Sequence, residues 1–230
     1  MSERIRKLFS EYHGKYDSAN HVYSMGIDIL WRKDAVREAM IAKRAFRILD
    51  IATGTADVAI MLAEESAARG KRVEITGMDF NREMLETGRK KVAKKGLGNV
   101  SLRQGDALSM DLGDSSYDVA TCAFALRNFD DLGKFFGELH RVLKKDGKFV
   151  ILEMGNPDGP VQRAIFQFYF GVLMRPLGYA IGIDAYRWLL YSITHFNKKK
   201  AVKMLKDEGF RNVKTRPLAM GVGFLITGIK

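Results

Sequence analysis

From Arg47 onward, short apolar runs alternate with amphipathic stretches, and the chain closes on two apolar runs too near each other for a helix to lie between them. Arg47–Ile51, Arg72–Met78, Val100–Arg103, Tyr117–Cys122 and Lys148–Glu153 read as strands, short and rich in Ile, Val and Leu. Between them lie helical stretches: one through Val58, Ala59, Met61, Leu62 and Ala63, then Arg82–Lys95 with its basic face, then Leu132–Leu143, stopped by Asp146-Gly147. Repeated strand-then-helix units predict a parallel sheet, because each helix carries the chain back across a face before the next strand begins. Only residues 218–222 separate Val213–Pro217 from Gly223–Ile229, so these two strands must pair antiparallel or part company. The expected fold class is α/β: a mostly parallel seven-stranded sheet finished by a C-terminal antiparallel hairpin, with helices on both faces.

The flanks carry other patterns. Up to Ala42 the chain reads as helical, with Ile27, Leu30, Trp31, Ala35 and Ala39 at helical spacing. After Asn156-Pro157 comes an aromatic segment (Phe166, Phe168, Tyr169, Phe170), which reads first as helix core and otherwise as a tunnel wall, a membrane contact or a homodimer contact. Helices Ala185–Phe196 and Lys199–Glu208 follow, the second capped by Gly209.

Composition narrows the function classes. Hydrophobic residues are 47% and charged residues 28%, ordinary for a globular chain, and 230 residues suit one α/β domain. A single cysteine, Cys122, rules out an intramolecular disulfide and a cysteine zinc cluster. His13, His21, His140 and His195 have no ligand spacing, so no metal is expected. The opening MSERIRKLFSEY has no apolar run behind its basic residues, and Ala164–Ile183 is interrupted by Gln167 and Arg175 and broken by Pro176. Neither a signal peptide nor a membrane span is expected, and the location expected is cytoplasmic. The formal net charge of +11 favours anionic partners: nucleic acid, acidic lipid or a phosphorylated ligand.

The first strand runs into Asp50-Ile51-Ala52-Thr53-Gly54-Thr55-Ala56-Asp57. Small residues at 52, 54 and 56 let a turn approach a ligand at the opening of a helix. A nicotinamide enzyme would place a third glycine at position 57, where Asp57 stands. The alternate-residue spacing instead resembles the Asp-x-Gly-x-Gly-x-Gly loop of methyltransferases; a tight turn with no ligand is the alternative. Asp79 ends the second strand, followed by Phe80, and suits the two ribose hydroxyls of a nucleoside better than the cap of the helix near Arg82. Asp106, with Ala107, follows the third strand and could accept an adenine amino group. A parallel sheet closed by an antiparallel hairpin is also the layout of Rossmann-like class I methyltransferases. The cofactor expected is S-adenosylmethionine, contacted by Asp50, Ala52, Gly54, Thr55, Asp79, Phe80, Asp106 and Ala107.

The sequence further resembles the menaquinone/ubiquinone biosynthesis C-methyltransferase family over nearly its whole length. Tyr16-Asp17-Ser18-Ala19-Asn20, Ser24-Met25-Gly26-Ile27-Asp28 and Trp31-Arg32 are similar to the signature YDxxN…SxGxxxxWR. Phe124-Ala125-Leu126-Arg127-Asn128 resembles FGxRN, and Arg141-Val142-Leu143-Lys144 through Leu152-Glu153 resembles RVLKPGG…LE. Tyr186-Arg187 with Ser192-Ile193 is similar to YRYLxxSI, and Gly209-Phe210 to the AGF turn. The resemblance implies methylation of a ring carbon on a prenylated quinol such as demethylmenaquinol. Such a carbon becomes nucleophilic when a neighbouring phenol, of pKa near ~10, loses its proton. Arg127 is the expected stabiliser of that phenolate, with Asn128 as orienter. Arginine stays protonated, so the base would be a water held by Arg127, or Tyr16, or Asp17; Tyr16 reads equally as a packing aromatic. In domain terms the expectation is one methyltransferase domain over 1–230, with an N-terminal helical lid (1–42), a cofactor-binding core (43–156) and a substrate-side helical insertion (157–198).

Several positions depart from the family pattern. The GGTGD loop is Thr53-Gly54-Thr55-Ala56-Asp57, the serine before FGxRN is Ala123, and that motif's glycine is Ala125. Tyr191 replaces an acidic residue, and Ile226 a histidine. A nucleic acid methyltransferase is the main rival on charge, yet the Pro-Pro loop of amino-methylating enzymes is missing after the fourth strand, and Cys122 has no neighbouring proline. Other small-molecule methyltransferases and a non-catalytic cofactor-binding protein remain as alternatives. The basic surface then reads as attraction to an anionic membrane surface, where a quinol resides.

Overall fold

The computed structural model describes residues 24, 26–42, 46–176 and 183–230. Five strands, β1 (Arg47–Ile51), β2 (Glu74–Asp79), β3 (Val100–Gln104), β4 (Tyr117–Ala123) and β5 (Leu143–Met154), run parallel. Two more, β6 (Arg211–Leu218) and β7 (Gly223–Ile229), complete one sheet of order β3-β2-β1-β4-β5-β7-β6, with β7 antiparallel to both its neighbours. The expected layout is the one observed. From β1 the chain winds outward through β2 and β3, then returns to β4 on the other side of β1, so a crevice opens at the carboxyl ends of these central strands.

Alternation along the strands feeds two cores. Ile48, Ile75, Val119 and Val150 face one side, covered by α1 (Ile27–Met40) and α2 (Asp57–Ala68), with α3 (Arg82–Lys94) packing Val92 at its edge. Leu49, Ile51, Ala120 and Phe149 face the other, covered by α4 (Leu132–Val142) and, past the intervening segment, a C-terminal helix over Lys198–Asp207. Burial on both faces is why β1 and β4 carry apolar residues at consecutive positions, as in Ile48-Leu49 and Val119-Ala120. Phe135, Phe136 and Phe149 have no exposed surface, and truncating any of them to alanine costs about 3–5 kcal/mol.

After β5 come α5 (Pro160–Phe168), a π-helical turn (Tyr169–Leu173), α6 (Ile183–His195) and that C-terminal helix, α7 (Lys198–Asp207). Gly209, at φ +100°, ends α7: its N–H donates to Lys206 O, and that of Phe210 to Leu205 O. This is the glycine cap anticipated from the sequence. The aromatic segment divides. Phe166 and Phe170 are core, while Phe168 is 58% exposed.

Two local expectations change. Helix α1 buries Asp28, Trp31, Arg32, Ala35 and Ala39 on one face, while Leu30 is 60% exposed. The 3.6-residue period puts positions 28, 31, 32 and 35 in one stripe and 30 outside it, so two charged residues occupy a face expected to be apolar. Helix α4 ends at Val142 and β5 follows directly, with Asp146-Gly147 looped out of the strand where the pairing shifts register between Tyr117 and Val119. Asp146 takes φ +61° there, and its N–H donates to Lys230 O.

Candidate active site

The carboxyl ends of β1 to β5 line one edge of the sheet, and three adjoining hollows follow it. The largest, an open cleft of about 700 Å³, is bounded by Asp50, the turn from Ala52 to Asp57, the end of β2 at Asp79, and Ala123, Phe124, Ala125 and Asn128 after β4. Beyond Phe80 a second hollow holds Asp106 and Ala107. On the opposite side, behind Phe124, a third is walled by Trp31, Phe124, Met154, Phe170 and Leu189, with Asp28 and Arg127 as its charged members.

The turn after β1 approaches the cleft tightly. Ala52, Gly54 and Ala56 take φ values of +54°, +57° and +68°, and Thr53 N–H donates to Met78 O across to β2. Left-handed backbone of this kind suits glycine, yet two of the three positions carry a methyl group. Gly88 of α3 makes room for one of them: a Cβ there would stand 3.1 Å from the Ala56 methyl. Lys91 of α3 reaches across to donate to both Thr55 Oγ1 and Asp57 Oδ1 at 2.8 Å.

Asp79 ties the turn to β2. Its Oδ2 accepts from Gly54 N–H at 2.8 Å and its Oδ1 from Asn81 N–H at 2.9 Å. It does not cap α3, since Asn81 does so by accepting from Met84 N–H. Burial pushes the Asp79 carboxyl up, opposed by the N–H groups of Asn81, Gly54 and Phe80. Asp50 is buried to 1% exposure, and its carboxyl is pushed up to about 6. Burial is the main cause, partly offset by the Thr121 and Thr53 hydroxyls that donate to it and by the Arg32 charge. Asp106 Oδ1 accepts from Leu108 N–H, which fixes its turn against the second hollow.

Arg127 and Asn128, neighbours in a 3-10 turn (Leu126–Asn128), face different hollows. Arg127 lines the third. Its Nη1 pairs with Glu153, which has no exposed surface, and its Nε donates to Ser192 Oγ of α6 at 3.2 Å. Asn128 borders the large cleft instead, its Oδ1 accepting from Trp188 Nε1–H and its Nδ2 donating to Phe124 O. Tyr16 and Asp17 lie outside the described residues.

The sequence reading gave no role to Arg32, Asp28, Phe124 or Glu153, although all four stand in quoted motifs. The i, i+4 spacing of Asp28 and Arg32 was a usable signal: their buried ion pair spans from the third hollow to the cleft. Arg32 also stacks 5.0 Å over the Phe124 ring. Phe124 takes φ +59°, a costly conformation for a bulky residue, and forms the wall common to cleft and third hollow. Cys122 is buried, and burial pushes its thiol well up, so it is no nucleophile. Among the described residues no group of His, Cys, Asp and Glu could hold a metal ion.

This donor set fits S-adenosylmethionine: a carboxylate with backbone partners beside a narrow turn, a neighbouring hollow with an acidic and a small residue, and, toward β4, a buried carboxylate and a guanidinium of opposite charge. The profile of the ubiE/COQ5 methyltransferase family matches residues 1–230. The chain is 38% identical to the ubiquinone/menaquinone biosynthesis C-methyltransferase UbiE of Citrifermentans bemidjiense, over 99% of this chain and 97% of that one. It is 36% identical to the demethylmenaquinone methyltransferase of Alkalihalophilus pseudofirmus, over 99% and 96%. Among solved structures, an S-adenosylmethionine-dependent methyltransferase from Aquifex aeolicus shares the fold with TM-score 0.62 and 19% identity, covering 86% of this chain and 88% of that one. Haemonchus contortus phosphoethanolamine N-methyltransferase 2, in complex with S-adenosylmethionine, matches with TM-score 0.58 and 15% identity over 82% of this chain and 49% of that one.

Proposed function

The chain belongs to the ubiE/COQ5 methyltransferase family, and from that membership we propose that this S-adenosylmethionine-dependent enzyme methylates a ring carbon of a demethylated, prenylated quinol. The observation that carries the quinol reading is Arg127, half-held by buried Glu153 at the edge of a mainly apolar hollow that adjoins the cofactor cleft.

Bound S-adenosylmethionine supplies a methyl group already activated on a sulfonium. The chain therefore has to orient the two partners and keep water away from them. Asp79 would hold the ribose, Asp106 and Ala107 the adenine, and the turn from Ala52 to Thr55 the methionyl part. Asp50 would face the ammonium of that part. Arg127, with Nη1 on Glu153 and Nε on Ser192, lines the hollow, and its Nη2 would donate to the acceptor's oxygen and stabilise its phenolate form. Trp31, Phe124, Met154, Phe170 and Leu189 keep the surroundings of low polarity, which strengthens that interaction.

The outer face of α5 and its π turn supports a contact with a membrane surface. Val161, Ile165, Phe168 and Val172 form an exposed apolar stripe, with Arg175 exposed at its end, while Phe170 of the same segment lines the acceptor hollow. No helix among the described residues is long and apolar enough to cross a membrane. Such a face would let a prenyl tail stay in lipid while the ring enters the hollow.

The test is incubation with methyl-labelled S-adenosylmethionine and three acceptor pools: reduced demethylated quinones, total RNA and a cell lipid extract. Label is expected in the quinone pool. Label in RNA alone would overturn the reading and make the basic surface the substrate site.

A further inference from the structure

Resting on the quinol reading above, we infer that Asp28 takes the acceptor's hydroxyl proton and that Arg32 sets when it is basic enough to do so. The transfer must shed a proton, and Arg127 cannot accept it because a guanidinium stays protonated. Among the described residues lining the acceptor hollow, Asp28 carries the one carboxylate, on the buried face of α1. Its Oδ1 accepts from Ser24 Oγ at 2.7 Å and its Oδ2 pairs with Nη1 of Arg32.

Arg32 belongs to both compartments. It pairs with Asp28 on the acceptor side, yet it lines the cofactor cleft, and its charge reaches Asp50. Its other N–H groups donate to no protein acceptor among the described residues. The methionyl part of the cofactor carries a carboxylate and an ammonium; Arg32 suits the first as Asp50 suits the second. Once Arg32 shares its charge with that carboxylate, it holds Asp28 less tightly, and the proton affinity of Asp28 rises. Among the described residues, the charged groups lining the same hollows as the pair are Asp50 from β1, Asp57 from α2, Asp79 from β2, and Arg127 after β4 with Glu153 of β5 behind it.

The step balances. The acceptor's O–H bond breaks and its proton goes to Asp28 Oδ. The ring carbon then bonds to the methyl group as the carbon–sulfur bond breaks, its electron pair leaving on sulfur as a neutral thioether. Loss of that carbon's hydrogen to water restores the aromatic ring, and the oxygen recovers its proton from Asp28.

The experiment compares wild type, Asp28→Asn and Asp28→His with a short-chain quinol, by single-turnover rate from pH 5 to 10 and by calorimetry with S-adenosylhomocysteine. Wild-type turnover is the control for the quinol reading, and its absence would defeat that reading rather than this one. Asp28→Asn is expected to bind the thioether within about threefold of wild type and to lose roughly 10²–10⁴-fold in rate at pH 7. That rate should climb with pH as the substrate's own ionisation takes over. Asp28→His should regain part of the rate, with a lower limb near ~6.5. Proton uptake on thioether binding, measured in two buffers of different ionisation enthalpy, should be greater for wild type than for Asp28→Asn. A wild-type pH profile in Asp28→Asn, or an equal loss in both variants at every pH, overturns the assignment. If Asp28→Asn does not fold, the limb position in Asp28→His decides alone.

Discussion

On the donor side of the cleft, Asp50, the turn through Gly54 and Asp79 stand at the ends of neighbouring strands and are joined by backbone hydrogen bonds across the sheet. On the acceptor side, Asp28 pairs with Arg32 one turn along α1, and Arg127 of a 3-10 turn pairs with Glu153 of β5, so the contacts are side-chain ion pairs. The donor side inherits its geometry from strand order. It tolerates Ala52 and Ala56 at left-handed backbone because the strands on either side hold the turn in place. The acceptor side depends on individual charges, each half-used by a buried partner. Under the proposed function, generic cofactor binding would rest on the first arrangement and the choice of acceptor on the second.

The largest test of this contrast is Asp79→Ala. Losing two charge-assisted hydrogen bonds, each worth about 1.5–3 kcal/mol, should raise the cofactor Kd at least ~100-fold in calorimetry. Wild-type affinity would mean that the donor side is anchored elsewhere. Next is Arg127→Lys, which keeps the charge but loses the planar fork between Glu153 and Ser192. Turnover should fall roughly 10- to 100-fold while cofactor affinity stays constant. Parallel losses in both would erase the distinction between the two sides.

Asp50→Asn sharpens the donor side through pH. With its carboxyl at about 6 in the folded chain against ~3.9 unfolded, the folded state holds a proton between those values that the unfolded state has lost. Stability of the ligand-free protein therefore falls as pH rises through that window and stays reduced above it. The variant should be about 3 kcal/mol more stable than wild type at pH 7 and close to it at pH 4, read as urea midpoints. Asp79 is shifted the same way, so the wild-type slope should flatten rather than vanish. A midpoint difference that ignores pH would remove Asp50 as the cause. The smallest effect expected is that of Phe168→Asp on the exposed face of α5: stability within ~0.5 kcal/mol of wild type, with turnover of vesicle-borne quinol down a few-fold and short-chain quinol unaffected. Equal rates on both substrates would detach this stripe from the acceptor side.

The donor side was largely legible in the sequence. Asp50, Gly54, Asp79 and Asp106 were placed at strand ends from hydrophobic runs and small-residue spacing, and all four line the hollows at the carboxyl edge. The acceptor side was legible only as motifs. Arg127 was singled out, but its pairing with Glu153 joins residues twenty-six positions apart, and no local period encodes it. Helix α1 shows the same limit at short range. Its apolar residues suggested a face containing Leu30, whereas the buried face contains Asp28 and Arg32, because a charge can be buried once a partner stands one turn away.

Fold class, the mostly parallel sheet with its closing antiparallel hairpin, and the cofactor type followed from the sequence alone, since they depend on periodicity, on loop lengths too short for a crossover and on the spacing of one turn. The order of the strands came from the structure. Which charges share a partner, which aromatic ring divides the cleft from the acceptor hollow, and which side of α5 stays exposed were decided only by tertiary structure. These depend on distances between segments that the sequence keeps far apart, and on burial, which makes an ion pair's worth depend on everything packed around it.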